Sequence, residues 1–394
     1  MKNNYLLQRW LVLMKKKQNL FRFLVLVVAI IAANCDSFYS RENKDNIPAL
    51  LPETIVIEKN RILITVNPAM ELLAVIQALG NYRNLGLITR FDLEYKRDVN
   101  AYFSGSVRHR AVSFTNRHMR RGFSFDAPPA ATLMINRDFT LDSTAFEASH
   151  RLQGIDINIH NFISVMKSFY LDNDFETFYF DQAGYYNSIL ETTARSFPDW
   201  DMISVMESFY GKSFESYNLV LSSLFHPGGY GPSIMRENGI AAYSVQGPLD
   251  ITDDGLPVFG DTDSFTMLVL HELGHSFVPI YEAFESGDMP DIRNALEDSA
   301  YLMEPIREQM AANAYPMWRT ACEELILRAV VIRMLADNLG MDAKELKRRE
   351  YGMGFIYIEA VYDILQKYID NREIYPVFDD FIPVLISGLM QAHP

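Results

Sequence analysis

Residues 266–284, TMLVLHELGHSFVPIYEAF, decide both how the chain folds around its centre and which chemistry that centre holds. Within them His271-Glu272-Leu273-Gly274-His275 sets two imidazoles four residues apart with a carboxylate between. On a helix, positions i and i+4 share a face, so both rings can point at one metal ion while Glu272 stands beside it. The spacing predicts a zinc site with its own base. Leu268, Val269, Leu270, Leu273, Phe277 and Val278 around the motif are uncharged, as a helix buried at the base of a cleft requires. Asp263 or Ser264 is the expected cap of this helix. Pro279 removes the hydrogen bond back to His275, so the helix should kink or end just past the motif, with Gly287 as a later stop.

Upstream, Asn218–Leu224 and Ile240–Gln246 read as strands, and His226–Pro232 (HPGGYGP) between them reads as a loop. A strand just before a metal-bearing helix matters, because an exposed edge strand can pair with an extended peptide through its main chain. Residues 250–255 (DITDDG), with Asp261 beyond, approach the spacing of a calcium loop, but Thr252 stands where an acid or Asn is usual. A turn-rich connector is the better reading. Earlier still, residues 90–210 are mostly helical in pattern, and Ile163–Tyr170 (ISVMKSFY) recurs as Ile203–Tyr210 (ISVMESFY). Two copies do not make a solenoid, so these are expected to be two similar core helices. Residues 54–58 and 61–66 form a β-branched pair around Lys59-Asn60, a plausible hairpin, and Asn67-Pro68 caps an amphipathic helix stopped by Gly80.

A catalytic zinc site needs a third protein ligand. Glu282 lies about 10 Å further along the same helix, beyond side-chain reach, and Glu285 fails likewise unless the Pro279 kink is sharp. Glu297, Glu304 and Glu308 sit in a polar stretch and are expected to be solvated. Glu323 and Glu324 differ, because they open a helix so apolar (EELILRAVVIRML) that an acid on its inner face needs a metal or cation to justify burial. Glu324 is favoured as the ligand, since Arg328 one turn later could orient its carboxylate; Glu323 is the reserve.

The motif resembles that of the zincin metallopeptidases. The metzincin branch would require a Gly and a His three and six residues after His275, where this chain has Val278 and Tyr281. The gluzincin branch takes a Glu from a later helix, and that resemblance implies a peptidase in which zinc is held by His271, His275 and Glu324. Glu272 would then act as general base. It also implies a donor to the oxyanion, for which Arg328, Tyr357, Tyr362 and His226 are candidates. The wider pattern, from Asn67-Pro68 through HELGH and Glu324–Ala329 to Tyr375-Pro376, resembles an uncharacterised bacterial family of exported proteins, domain of unknown function 4932.

The expected architecture is α+β and zincin-like, mostly helical, with a small mixed sheet next to the HExxH helix. Residues 54–394 would form the catalytic unit: 54–216 helical, 217–287 strands and motif helix, 288–394 helical. The first 34 residues carry six basic and no acidic side chains; a basic start, an apolar run from Leu20 to Ile31 and Ala32-Ala33-Asn34-Cys35 read as an export signal, with Met14 as an alternative start. It resembles a bacterial lipoprotein signal, which implies a lipid on Cys35, a tether over 35–53 and attachment to the membrane of the cell envelope. Cys322 would then be the only thiol left, and it reads as a core residue. The chain has a formal charge of −14, and without the first 34 residues −20, which argues against nucleic acid as a partner. A peptide or protein is the expected substrate; a binding lipoprotein without turnover is the competing class.

Overall fold

The computed structural model describes residues 50–393 apart from 281, 282, 284 and 285, and leaves aside the side chains of 150 and 153. The export signal, Cys35 and nearly all of the tether lie outside the described residues, as do Glu282 and Glu285. The first elements are β1 (Ile55–Lys59), β2 (Ile62–Val66), α1 (Pro68–Leu79), α2 (Glu94–Tyr102), α3 (Arg110–Met119) and α4 (Ala127–Leu133). There follow α5 (Ser143–Glu147), α6 (His150–Gln153), α7 (Ile159–Asp172), α8 (Phe175–Asp181), α9 (Ala183–Ala194) and α10 (Met202–Tyr210). The strand-rich part holds β3 (Ser216–Leu221), β4 (Gly228–Tyr230), β5 (Ser233–Arg236), β6 (Gly239–Gly247), β7 (Asp250–Ile251) and β8 (Pro257–Val258). Then come α11 (Thr262–Gly274), α12 (Pro290–Asp298), α13 (Arg307–Ala312), α14 (Trp318–Leu339), α15 (Ala343–Gly352), α16 (Ile358–Asp370) and α17 (Ile382–Ala392). No helix among the described residues is long and apolar enough to cross a membrane.

The expected α+β class, mostly helical around a small mixed sheet, is what the chain forms. Local chemistry explains the first elements. Asn60 and Arg61 take φ of 50° and 65°, which suits a two-residue turn between β1 and β2, one residue later than expected. Asn67 then caps α1 by accepting from the Met70 amide at 3.0 Å, with Pro68 in the first turn. Pro68 through Ala78 are all buried, because α3, α4 and α7 pack around the helix. The repeated octapeptides occupy α7 and α10; Ile163, Met166, Ile203 and Met206 are buried, whereas Val165 and Val205 are only partly so.

The main sheet runs β1-β2-β3-β6-β4, with β5 also on β6. β2, β3 and β6 are parallel; β1, β4 and β5 pair antiparallel. Tyr217–Leu221 of β3 are all buried, as an interior parallel strand demands. β6 is also internal, not the edge strand the sequence allowed. Instead the edge is β4, folded from the stretch expected to be a loop: Gly228–Tyr230 pair with the end of β6, and β5 pairs with its beginning. Residues 250–258 form the small β7–β8 hairpin, so the calcium-like spacing is a connector.

α11 packs on β4 and β6 on one side and on α14 on the other. α14, 22 residues long, also carries α15 and α16, so the C-terminal helices and the sheet meet across the motif helix. Residues 49–394 form one compact unit around one core, which joins the three expected segments.

Gly211, which ends α10, has φ of 72°, and a Cβ there would lie 2.0 Å from the Pro376 carbonyl oxygen. The left-handed backbone alone disfavours another residue by about 1–3 kcal/mol, and the backbone contact adds to that. Gly211→Ala is therefore expected to lower the urea midpoint of unfolding by more than the φ penalty accounts for. An unchanged midpoint would contradict the close approach.

Candidate metal centre

Three features of α11 and α14 bring the motif together. Asp261, not Asp263 or Ser264, caps α11: its Oδ1 accepts from the Ser264 amide at 2.9 Å. The helix ends at Gly274, just ahead of Pro279, while His275 keeps helical angles of φ −55° and ψ −35°. His271 and His275 therefore still stand on one face. Gly274 permits the approach of α14, since a Cβ there would come within 2.8 Å of Leu327 Cδ2.

From α14, Glu324 reaches between the two rings. Its Oε2 lies 3.3 Å from His271 Nε2 and its Oε1 lies 3.5 Å from His275 Nε2. Two atoms each about 2.1 Å from a tetrahedral metal stand about 3.4 Å apart. The three groups offer ligand atoms within 4.8 Å of one another. The residues fit a divalent metal, and two imidazoles with one carboxylate are a donor set suited to zinc.

Glu323, the reserve ligand, takes a different position. Its Oε1 accepts from His275 Nδ1 at 2.8 Å, behind the ring. That bond directs His275 Nε2 toward Glu324 and, in the neutral ring a metal requires, would leave Nε2 as the unprotonated nitrogen. Glu323 thus lies against the back of His275 and outside the group formed by His271, His275 and Glu324. Arg328 reaches the Glu324 carboxylate: its guanidinium donates to Glu324 Oε2 at 3.2 Å and to Glu350 at 2.8 Å, and lies 4.4 Å over the Phe355 ring.

The charge distribution follows from burial. Glu272 and Glu324 are each 5% exposed. Burial raises the Glu272 carboxyl above the ordinary range against the pull of His271 and His275, the direction a base needs if it is to accept and return a proton. Burial also opposes charge on Glu324, but His271, His275 and Arg328 outweigh it and hold that carboxyl well below the usual range. For His275, desolvation is outweighed by the Glu323 hydrogen bond and the charges of Glu324 and Glu272, which push it up to about 10. Carboxylates crowded into a dry site demand positive charge, supplied by protonated imidazole or by a metal ion.

The glycine-rich strand β4 lies directly over the base. A Cβ on Gly229 would fall 2.9 Å from Glu272 Oε1, and one on Gly231 would fall 2.1 Å from the Glu272 carbonyl oxygen. Only glycine lets the strand approach this closely.

The remaining expected residues lie elsewhere. Tyr357 is turned away: its hydroxyl donates to the Leu302 carbonyl at 2.9 Å, and its ring stacks edge-on with Trp318 and His393. Tyr362 is occupied by the cations of Arg333 and Lys347 at 4.2 and 4.6 Å. His226 bonds the Pro227 carbonyl through Nδ1 and is not among the grouped ligands. Glu297, Glu304 and Glu308 are exposed, and Cys322 is a buried thiol, as expected. Missed by the sequence reading is Tyr315, in the turn before α14, where the charges of Glu324, Arg328 and Glu272 act on its hydroxyl. Burial, with Glu324 adding to it, raises that hydroxyl well above its usual range, so it stays a donor at neutral pH. No periodicity marks it; the Tyr-Pro turn next to the acidic helix start is the only signal. Glu350 was missed for the same reason, lying on a helix that reads as solvated.

Glu324→Ala is expected to abolish stoichiometric zinc binding, whereas Glu323→Gln should weaken it by about 10–100-fold, the usual effect of removing an orienting hydrogen bond. Competition against a chromophoric chelator measures both. Equal losses for the two variants would contradict the division of roles.

Residues 62–388 match the family described as Domain of unknown function (DUF4932). No curated protein and no solved structure is significantly similar to the chain. With the match spanning both helices of the centre and the sheet from β2 onward, the chain belongs to the DUF4932 family.

Proposed function

We propose that the protein is a zinc-dependent peptide hydrolase of gluzincin type. The observation that carries this reading is the placement of Glu324 oxygens 3.3 and 3.5 Å from the two Nε2 atoms of an HExxH helix, at the edge lengths of a tetrahedral site. His271, His275 and Glu324 would hold the ion. Bound zinc supplies a Lewis acid that polarises the scissile carbonyl and acidifies water.

The chain's own groups do the rest. Glu272 takes a proton from the attacking water and delivers it to the leaving amine; its buried, raised carboxyl suits a group that must hold that proton between the two steps. Tyr315, rather than Tyr357, donates to the developing oxyanion, with Arg328 keeping the Glu324 carboxylate in place. β4 is the last strand of the sheet and lies against Glu272, so an extended peptide added along its outer side would pass the base. Recognition of that kind is made mostly by the main chain and imposes little sequence preference. Export, a lipid on Cys35 and attachment to the outer face of a membrane belong to the same reading, resting on the basic, apolar and small-residue order of the first 35 residues. Labelled palmitate incorporated by the native chain and not by Cys35→Ala would bear this out; labelling of neither chain would remove the anchor.

Purified protein should contain one zinc per chain and cleave an unstructured protein. Glu272→Ala should keep the zinc and lose at least about 100-fold in kcat. Zinc with no cleavage by either chain would instead mark a binding protein, and protein purified without chelator that holds no zinc would sink both readings. Tyr315→Phe is expected to reduce kcat by about 10²–10³-fold at unchanged zinc content, while Tyr357→Phe leaves kcat as it is. The reverse order would return the oxyanion role to Tyr357.

A further inference from the structure

A second acid is buried far more completely than its partners justify. Glu71, on α1, is 1% exposed, and its Oε2 accepts from the Tyr95 hydroxyl at 2.6 Å. Tyr95 stands 2.9 Å from the Tyr186 hydroxyl in turn, so this oxygen ends a chain of phenols. The other oxygen, Oε1, is buried beside the Ser222 hydroxyl, its one available partner. As a carboxylate, Glu71 would hold a full buried charge on two neutral hydroxyls, Tyr95 and Ser222, with no cation to balance it. As a carboxylic acid it keeps both contacts, donating from Oε1 to the Ser222 oxygen, and carries no charge.

No opposite charge competes with that solution. The ionisable side chains facing Glu71 are tyrosines: Tyr95 from α2, Tyr185 and Tyr186 from α9, and Tyr179 from α8. Of the charged side chains on the elements around α1, Lys96 bonds the Thr89 carbonyl, Arg110 bonds Ser168, His118 bonds the Phe114 carbonyl, Lys167 lies over the Phe139 ring, and Arg117 and His160 are exposed. Glu191 on α9 and Glu176 on α8 are exposed.

The position gives the proton a consequence. Ser222 and Ser223 follow β3 directly, at the carboxyl end of a parallel strand, and Tyr185 donates to Ser223 at 2.7 Å. The same segment continues through Phe225 into β4, the strand lying on Glu272. We propose that the folded protein carries Glu71 as a neutral acid, and that its ionisation is a pH-sensitive latch on residues 222–230, the segment leading from β3 into β4. This inference stands apart from the metal and from turnover.

The sign follows from burial, which lifts the Glu71 carboxyl to about 7 even though Tyr95 and Ser222 pull it down. The unfolded chain ionises Glu near 4.3, so the folded state binds the extra proton in between. The stabilisation is complete below about 4.3 and is lost as pH rises through about 7.

The experiment compares the full mature chain with Glu71→Gln, in chelator, between pH 5 and 8. Gln reproduces the neutral acid and cannot ionise. The native chain should lose about 5 °C in Tm relative to Glu71→Gln across this range, and protection of amides 222–230, taken relative to the base-catalysed intrinsic rate, should fall at pH 8 only in the native chain. Parallel Tm profiles for the two chains, or exchange in this segment that does not depend on Glu71, would overturn the latch. If Glu71→Gln does not fold, infrared difference spectra of the native chain decide: a carboxylic-acid carbonyl band present at pH 5 and bleached by pH 8 supports the proposal. Its absence at pH 5 overturns it.

Discussion

Everything at the centre of this protein depends on one carboxylate crossing from α14 to a pair of imidazoles on α11. Glu324 is 5% exposed and comes within 3.5 Å of both rings. An isolated buried carboxylate would be strongly unfavourable, and even paired charges repay their desolvation only with good geometry. The geometry here is secured by apolar packing. Leu325, Ile326 and Leu327 are at most 2% exposed, and each such side chain contributes about 1.5–3 kcal/mol of burial. Gly274 supplies the clearance that lets the two helices meet. The hydrophobic interface thus sustains an ionic arrangement that could not sustain itself.

The sheet serves the same centre from the opposite side. β3 and β6 form a buried parallel pair, and β6 offers its remaining edge to β4 and β5. β4 reaches the motif helix only because Gly229 and Gly231 have no side chains to place there. Glu272 is consequently enclosed by main chain on one side and by the His and Glu side chains on the other. Enclosure raises its proton affinity above that of an ordinary carboxylate.

How much of this could be read in the sequence varied with the kind of signal each residue leaves. HELGH is legible because the helical period puts its two histidines on one face whatever surrounds them. Glu324 is legible because an acid in an apolar helix asks for a reason. Its neighbour Glu323 looks identical by that criterion, and only the rotation of α14 decides which of the two meets the metal position. β4 reads as a loop because glycine and proline carry no strand preference; its pairing is imposed by the open side of β6. Tyr315 leaves only the trace of a Tyr-Pro turn and Glu350 none, since what brings them here is proximity in space. Tyr357 was singled out for its residue type, but packing sends its hydroxyl to Leu302.

Glu323 and Glu324 are consecutive, and consecutive positions on an α-helix point about 100° apart. One carboxylate therefore faces both Nε2 atoms while the next reaches around to the back of His275. Here both ride on a single turn of α14, so any twist or slide of that helix moves them together. Ligand placement and imidazole orientation are geared to one another by the pitch of the backbone, and a register shift of one residue would disengage both at once.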